Sequence, residues 1–206
     1  MMRRLVLIAL LAIGCSDIGE PNRTPRYFFD ISGDTFHWPA DRLPVRYFAD
    51  PRGAMPRLVA EAVGTWERQF LYGEYRGVLV GDSTAADVIV VWPADSVPAD
   101  VTPDTTGALG ACDGLTQYAI DSTNTIAGPL HVQLRVRAGY TPPQIAACMH
   151  RVAAHEIGHT IGLLIHSPSP TDLMYGTPAT QTPTDRDRNT AQVLYHTPAT
   201  IAPPPR

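Results

Sequence analysis

The residues with the clearest chemical signature occupy positions 155–167, with the sequence HEIGHTIGLLIHS. His155 and His159 are four residues apart, so on a helix their side chains lie one turn apart on the same face. From there both can offer imidazole nitrogens to one metal ion at about 2.0–2.1 Å. Glu156 would lie beside that metal, where it can accept a proton from an attacking water. The spacing therefore indicates metal-assisted hydrolysis.

A third ligand is available shortly after this helix. Gly162 allows the chain to leave the helix in a backbone conformation that is costly for other residues, and His166 follows within reach. Three protein ligands leave one position open, as in a catalytic rather than a structural zinc site. Another class of HExxH enzymes takes its third ligand from a later Glu, but no Glu follows Glu156. Three later aspartates remain alternatives that we rank behind His166: Asp172, Asp185 and Asp187.

These residues resemble the metzincin superfamily and, within it, the bacterial matrixin-like metalloproteases. The family pattern HExxHxxGxxH is matched through Gly162, and His166 then comes one residue later, as HExxHxxGxxxH. The segment DLMYG at 172–176 resembles the Met-turn of the family. That resemblance implies that Met174 packs beneath the histidines without binding zinc. Residues 183–195 resemble the C-terminal helix of matrixins, so the resemblance extends over about residues 38–198.

The resemblance implies a zinc-dependent metalloendopeptidase. One catalytic Zn²⁺ would be bound by His155, His159 and His166, and Glu156 would be the general base for a zinc-activated water. A protein or peptide substrate would lie extended along an edge strand, for which residues 115–120 are our candidate. A pocket between the helix base and residues 176–182 would select a substrate side chain. Two alternatives stay open: a non-catalytic surface lipoprotein that keeps the fold for binding, and a zinc hydrolase specialised for cell-wall peptides.

Periodicity along the chain predicts an α+β domain. Apolar and β-branched runs predict strands at 44–50, 78–80, 87–92, 115–120 and 131–137, and apolar residues spaced by four predict a helix over 55–70. Thr141, Pro142 and Gln144 form a capping-box pattern that starts the central helix, which should extend to about Gly162. A last helix begins near 183–185. Together with the resemblance, this predicts a twisted mixed sheet of about five strands, packed on the active-site helix and a second helix, with a C-terminal helix.

The N-terminus has the pattern of a targeting segment. Two arginines precede an apolar run at 5–13 that is too short to span a bilayer, as in a signal peptide. The run ends in LAIGCS, which resembles a bacterial lipobox and implies cleavage before Cys15 and lipidation of that residue. We therefore predict a signal peptide at 1–14, a lipid-anchored lead-in at 15–37, the catalytic domain at 38–198 and a Pro-rich tail at 199–206. The expected location is the cell envelope, with the outer membrane or surface favoured, and an ordinary secretory signal is the alternative.

Composition narrows the remaining possibilities. A hydrophobic fraction of 44% allows a proper core, and a net charge of −4 without a basic stripe argues against nucleic-acid binding. We expect a monomer. In an oxidising compartment Cys112 and Cys148 form an even pair, so we predict a disulfide, with two buried free thiols as the alternative. Four aspartates in and beside the predicted surface loop at 93–112 could bind calcium, but a solvated acidic loop is the preferred interpretation: Asp95, Asp100, Asp104 and Asp113.

Overall fold

The computed structural model describes residues 24–93 and 110–206. The predicted signal peptide, Cys15 and most of the predicted loop at 93–112 lie outside these residues, together with three of the aspartates considered for calcium.

The described residues form an α+β domain around one five-stranded mixed sheet. Its strands are β1 (Val45–Ala49), β2 (Gly77–Val80), β3 (Val88–Val91), β4 (Cys112–Gln117) and β5 (Leu130–Val136). Their order across the sheet is β2-β1-β3-β5-β4. All neighbouring pairs are parallel except β4 with β5, which is antiparallel. The sheet confirms the predicted fold class and places β4 at one edge.

Three α-helices accompany the sheet: α1 (Met55–Glu67), α2 (Pro142–Thr160) and α3 (Asp185–Tyr195). At the start of α2, the Gln144 side chain accepts a hydrogen bond from the Thr141 backbone N–H at 3.0 Å, as the capping pattern predicts. Helix α1 packs on α2, and the Trp66 indole N–H donates to the Ala154 carbonyl at 2.7 Å. Both helices also contact the sheet. The central helix is therefore held on two sides by buried contacts.

None of the helices in the described parts of the chain has the length and apolar character needed to cross a membrane.

The edge strand β4 begins and ends three residues earlier in the sequence than we predicted. We expected it at 115–120, whereas β4 is Cys112–Gln117. Register explains the end point, because Gln117 pairs with His131 and β5 begins only one residue earlier, at Leu130. Residues beyond Gln117 have no strand to pair with. The start of β4 at Cys112 was not predicted because Asp113 and Gly114 interrupt the apolar pattern typical of strands.

The predicted domain boundaries at 38 and 198 do not coincide with the edge of the packed core. In the segment that we interpreted as a loosely packed lead-in, Tyr27 and Phe29 are buried and Phe36 is 0% exposed. In the predicted tail, Ile201 is buried and its backbone N–H donates to the Thr35 carbonyl at 2.9 Å. These apolar side chains gain by joining the core. The packed domain therefore includes residues before 38 and after 198.

Candidate metal centre and its cleft

Helix α2 brings two histidines and a glutamate to one buried site. His155 and His159 are one turn apart, and their Nε2 atoms are 3.1 Å from each other. His155 and Glu156 are both buried within the last turns of the helix. The sequence spacing alone predicted this juxtaposition.

The chain after α2 turns back to add the third histidine. The His166 Nε2 atom lies 3.3 Å from the Nε2 atoms of both His155 and His159. Gly162 makes the turn with φ +113°, and a Cβ built there would lie 1.9 Å from the Phe36 carbonyl oxygen. Glycine is therefore required both by the backbone conformation and by the close approach of the N-terminal segment. The additional residue between Gly162 and His166 does not prevent the three nitrogens from converging.

The hydrogen bonds of the rings show that unshared electron pairs meet at this point. The His155 Nδ1–H donates to the Leu173 carbonyl at 2.8 Å, and the His159 Nδ1–H donates to the Leu163 carbonyl at 2.6 Å. A neutral imidazole that donates from Nδ1 has a bare Nε2. Burial lowers the pKa of His155 to about 4 and that of His159 to about 3, which keeps both rings neutral near pH 7.

The bare Nε2 atoms of His155 and His159 repel each other at this distance unless a cation lies between them, and the His166 Nε2 atom is similarly close to both. Nitrogens at tetrahedral angles and about 2.0–2.1 Å from a zinc ion would be about 3.3–3.4 Å apart. The observed separations of 3.1–3.3 Å fit that arrangement closely. Within residues 24–93 and 110–206, this trio is the group of His, Cys, Asp or Glu side chains that could hold a metal ion.

The Met-turn (residues 172–176) lies directly against the ligand helix. Met174 is fully buried, and a Cβ built at Gly158 would lie 2.4 Å from its sulfur. Since Gly158 immediately precedes His159, Met174 packs against the helix segment that carries the histidines. The Leu173 carbonyl accepts the hydrogen bond from His155, so the same turn also orients this ring.

The aspartates that we considered as alternative ligands have other partners. Asp172 accepts hydrogen bonds from the Ser167 and Thr184 hydroxyls at 2.5 and 2.9 Å. Asp187 accepts from the Leu173 N–H at 2.8 Å. The Asp185 side chain is 90% exposed on the first turn of α3. None of the three belongs to the histidine cluster, so His166 is the third member.

Glu156 is held from the sheet side by β4. The Thr116 hydroxyl donates to its Oε2 at 2.7 Å. A Cβ built at Gly114 would lie 2.5 Å from Oε1, so only glycine leaves room for this carboxylate. Burial raises the pKa of Glu156 to about 7, although the hydrogen bond from Thr116 opposes that rise. A bound cation would lower this pKa again.

A cavity of about 380 Å³ opens beside these groups. His155, Glu156 and His166 line it on one side, and Gly176, Thr177 and Pro178 line it after the Met-turn. These last three belong to the segment that we predicted to form the wall of a side-chain pocket. The size is within the range of small-molecule sites.

The two cysteines also meet at this cavity. Cys112, at the start of β4, and Cys148, on α2, form a disulfide with their sulfurs 2.10 Å apart. The bridge joins the edge strand β4 to α2, and both residues line the cavity. Asp113, one of the aspartates considered for calcium, instead accepts hydrogen bonds from Arg137 at 2.7 and 3.0 Å.

Several residues that shape the site were not identified from the sequence. Thr116 and Gly114 carry no local signal, because their roles depend on where β4 lies relative to α2. For Asp187 a signal existed: Thr184 and Asp187 form a reciprocal cap on α3, with the Thr184 N–H donating to Asp187 at 2.8 Å. The pattern indicates a helix start but does not reveal that the same carboxylate reaches the Met-turn.

Comparison with known proteins agrees with this geometry. A search against curated proteins found no match. The family model described as matrixin, Peptidase_M10, matches residues 52–196, which is more than half of the chain and includes the three histidines, Glu156 and Met174. With its histidine cluster, Met-turn and five-stranded mixed sheet, this chain belongs to the matrixin family of metallopeptidases.

Proposed function

We propose that this protein is a zinc-dependent metalloendopeptidase that hydrolyses internal peptide bonds of protein or peptide substrates. The observation that carries the proposal is the convergence of three imidazole nitrogens beside a buried carboxylate. Family membership supports metallopeptidase chemistry, and the geometry supports the assignment of individual roles.

The donor set fits zinc. Three neutral imidazoles are typical ligands of catalytic zinc and leave a fourth position for water or substrate. When bound there, zinc supplies a lowered water pKa and polarises the scissile carbonyl. His155 and His159 owe their orientation to the carbonyls of Leu173 and Leu163, which hold the ring tautomers required for ligation.

Glu156 moves the proton in this proposal. The Thr116 hydroxyl holds Oε2, which leaves Oε1 to accept a proton from the attacking water. The same carboxyl then donates that proton to the leaving amine, so no covalent intermediate is needed. A carboxylate with a pKa above its ordinary value transfers protons in both directions more readily near neutral pH.

The edge position of β4 supports extended substrate binding. One side of β4 pairs with β5, and Thr116 on the same strand reaches Glu156. A peptide aligned on the open side would add a strand through backbone hydrogen bonds and bring its carbonyl close to the histidines. β4 thus takes the place of the 115–120 segment that we first considered.

We also propose that the protein is exported and carries a lipid on Cys15. The support is the lipobox-like sequence at 11–16 alone. Labelling cells with a palmitate analogue should mark the protein, and Cys15→Ser should abolish the label. A label that survives Cys15→Ser would contradict lipidation at this residue.

The decisive experiment compares the wild-type protein with Glu156→Gln after loading each with zinc. Both should bind one zinc per chain, whereas cleavage of an unfolded protein should fall by about 10²–10⁴-fold in the variant. Glu61→Gln on α1 is the matched control and should retain full activity. Glu61 pairs with His150, which does not belong to the cluster of three histidines.

Three outcomes would contradict the proposal. Equal cleavage by wild type and Glu156→Gln would remove the assigned base. No protein cleavage by the zinc-loaded wild type, with release of fragments from purified peptidoglycan, would favour the cell-wall alternative. Zinc binding without activity on either substrate would favour a binding role.

A further inference from the structure

Three arginines lie together at the outer surface of α3. Arg186 and Arg188 belong to the helix, and Arg26 is brought beside them by its backbone: its N–H donates to the Thr190 hydroxyl at 3.1 Å, and its carbonyl accepts from Arg186 at 3.3 Å. The three line one open depression of about 400 Å³. Asp185 is the acidic residue among the described residues that line it. Positive charge therefore predominates in this depression.

These arginines keep hydrogen-bond donors for a further anion. Arg186 pairs with the buried Asp172 through Nε, and Arg188 pairs with Asp185 through one Nη atom. A guanidinium has five N–H donors, and the side chains of both arginines are about half exposed. The remaining N–H groups can therefore reach an anion in solvent. Phosphate matches the planar donor pattern of a guanidinium especially well.

An exposed aromatic side chain lies beside this depression. Phe28 is 78% exposed, whereas its neighbours Tyr27 and Phe29 are buried. The Tyr27 hydroxyl donates to Asp187 of α3 at 2.8 Å, so this short segment is fixed to the helix. Phe28 is thus held at the surface two residues after Arg26.

The loop after α1 brings two further apolar side chains to the same helix. Gln192, which lines the depression, donates to the Gln69 carbonyl at 2.8 Å. Leu71 and Tyr72 follow at once and are 82% and 86% exposed. Together with Phe28 they are the three most exposed large apolar side chains of the described residues, and the next, Leu115, is only 50% exposed. Exposed apolar surface is therefore concentrated around α3.

The course of the chain indicates which partner this surface meets. Residues 16–23 separate Cys15 from Thr24, where the described residues begin, and a segment of that length spans at most about 30 Å. Arg26 and Phe28 come directly after it. A lipid on Cys15 would therefore keep this part of the domain close to the bilayer.

We propose that this surface, which we call the arginine–aromatic face (Arg26, Phe28, Leu71, Tyr72, Arg186 and Arg188), docks on an anionic phospholipid membrane. The arginines bind lipid phosphates, and the three apolar side chains enter the headgroup region, as cationic and aromatic residues do at membrane interfaces. The inference goes beyond the proposed peptidase function and takes from the proposed lipidation only the choice of partner.

Docking in this way would orient the domain on the membrane, which a tether alone does not do. Among the described residues, none lines both the depression at α3 and the cavity beside the histidines. A substrate can therefore reach the cavity while the arginine–aromatic face is covered.

The first test uses the chain from Ser16 onward, which lacks the lipid but contains every described residue. Zinc-loaded protein is mixed with vesicles of phosphatidylcholine alone or with an equal share of phosphatidylglycerol, and bound protein is measured by flotation. Binding should be at least about tenfold tighter to the anionic vesicles and should weaken at high salt. No binding, or equal binding to both kinds of vesicle, would overturn the inference.

The second test changes the face itself. Arg26→Gln combined with Arg188→Gln should weaken binding to the anionic vesicles by about twentyfold, because each cation near the surface contributes about fivefold. Phe28→Ser should weaken it by about tenfold. The matched controls are Arg135→Gln and Leu115→Ser, which change exposed residues of β5 and β4 and should bind like the wild type. Equal losses in the controls would show that binding does not depend on this face.

A fluorescence measurement tests orientation without weakening the face. The natural tryptophans Trp38, Trp66 and Trp92 are buried. On anionic vesicles that contain brominated lipid, the additional fluorescence of Tyr72→Trp should be quenched, whereas that of Leu115→Trp should not. Quenching of both, or of Leu115→Trp alone, would contradict docking through the arginine–aromatic face.

The outcomes separate this inference from the other two proposals. Cleavage of an unfolded protein is measured without vesicles, and lipidation is measured by the palmitate label, so failure of either leaves the vesicle result intact. A dimer that forms without lipid, and that Phe28→Ser abolishes, would assign the face to a second copy of the chain and overturn membrane docking.

Discussion

Buried carboxylates organise two regions of this domain in different ways. Behind the Met-turn, Asp187 accepts hydrogen bonds from the backbone N–H groups of Leu173 and Thr184 and from the Tyr27 hydroxyl. At the start of β3, Asp87 instead accepts from the guanidinium groups of Arg46 and Arg206. The carboxylate behind the Met-turn is bound mainly by neutral backbone N–H groups, and the carboxylate at β3 is bound by charged arginine side chains.

The difference teaches what each carboxylate holds in place. Backbone donors fix the course of the Met-turn, whose Leu173 carbonyl orients His155. Arginine donors join distant parts of the chain, since Arg46 is on β1 and Arg206 lies beyond the last helix. We therefore expect changes at Asp187 to alter both stability and metal binding, and changes at Asp87 to alter stability alone.

Asp187→Ala should have the largest effect. Several buried donors would lose their acceptor, so the free energy of unfolding should fall by about 3–5 kcal/mol. Zinc affinity should fall by about tenfold to a hundredfold, because the group that orients His155 is no longer held. Chemical denaturation and competition with a chelator measure the two effects. Asp185→Ala, on the same helix but exposed, is the control and should change neither by much; equal losses in both variants would contradict this role for Asp187.

Gly162→Ala tests the other connection that positions the histidines. Its φ of +113° and the approach of the Phe36 carbonyl should together cost about 3 kcal/mol of unfolding free energy. Zinc affinity should fall as His166 is displaced. Gly139→Ala is the matched control, because Gly139 also has positive φ, at +92°, but no atom within 4 Å of an added Cβ. The control should cost about 1 kcal/mol and leave zinc binding intact. Similar effects at both glycines would show that backbone conformation alone matters.

Asp87→Asn should reduce stability without affecting the site. Burial opposes ionisation of Asp87, which is 2% exposed, but hydrogen bonds from Arg46 and Arg206 prevail and lower its pKa from 3.8 to about 2. Because the folded-state pKa is depressed, this stabilisation is present above about pH 4 and is lost as the pH falls toward 2. It amounts to about 2 kcal/mol. Denaturation from pH 6 to pH 2 should show a smaller fall in the variant, and a loss of zinc at neutral pH would contradict the separation of the two regions.

Arg206→Ala should have the smallest effect. Its side chain is 30% exposed and donates to Asp87 at 2.9 Å, while Arg46 remains as a second partner. We expect a loss of about 0.5–1 kcal/mol, well below that of Asp87→Asn. Asp87 keeps Arg46 as a partner when Arg206 is removed, whereas Asp87→Asn removes the charge that both arginines contact. Thermal unfolding of the two variants at low and high salt would compare them, and a larger loss for Arg206→Ala would reverse this interpretation.

Much of the candidate site could be predicted because it depends on local spacing. The four-residue interval between His155 and His159 specifies a shared helix face, and Gly162 indicates the turn that follows. The start of α2 could also be predicted, since Thr141 and Gln144 form a capping box there. The strand boundaries were less accurate, because β4 is defined by its pairing with β5 rather than by its own residue types. The packing of Phe36 and Ile201 onto the core was likewise not predicted from their Pro-rich surroundings.

The histidine cluster, the neighbouring Glu156 and the class of fold therefore followed from residue types and periodicity, which act over a few residues. Other features depend on residues far apart in sequence or on elements whose relative position no local pattern specifies. They are the hydrogen bond from Thr116 to Glu156, the hydrogen bond from the Leu173 N–H in the Met-turn to Asp187, and the position of Arg151 in the cavity wall. Such contacts arise only when the sheet, the helices and the terminal segments have packed together. For this reason the reaction chemistry could be predicted from the sequence, whereas the contacts that hold Glu156 and the Met-turn could be seen only in the packed structure.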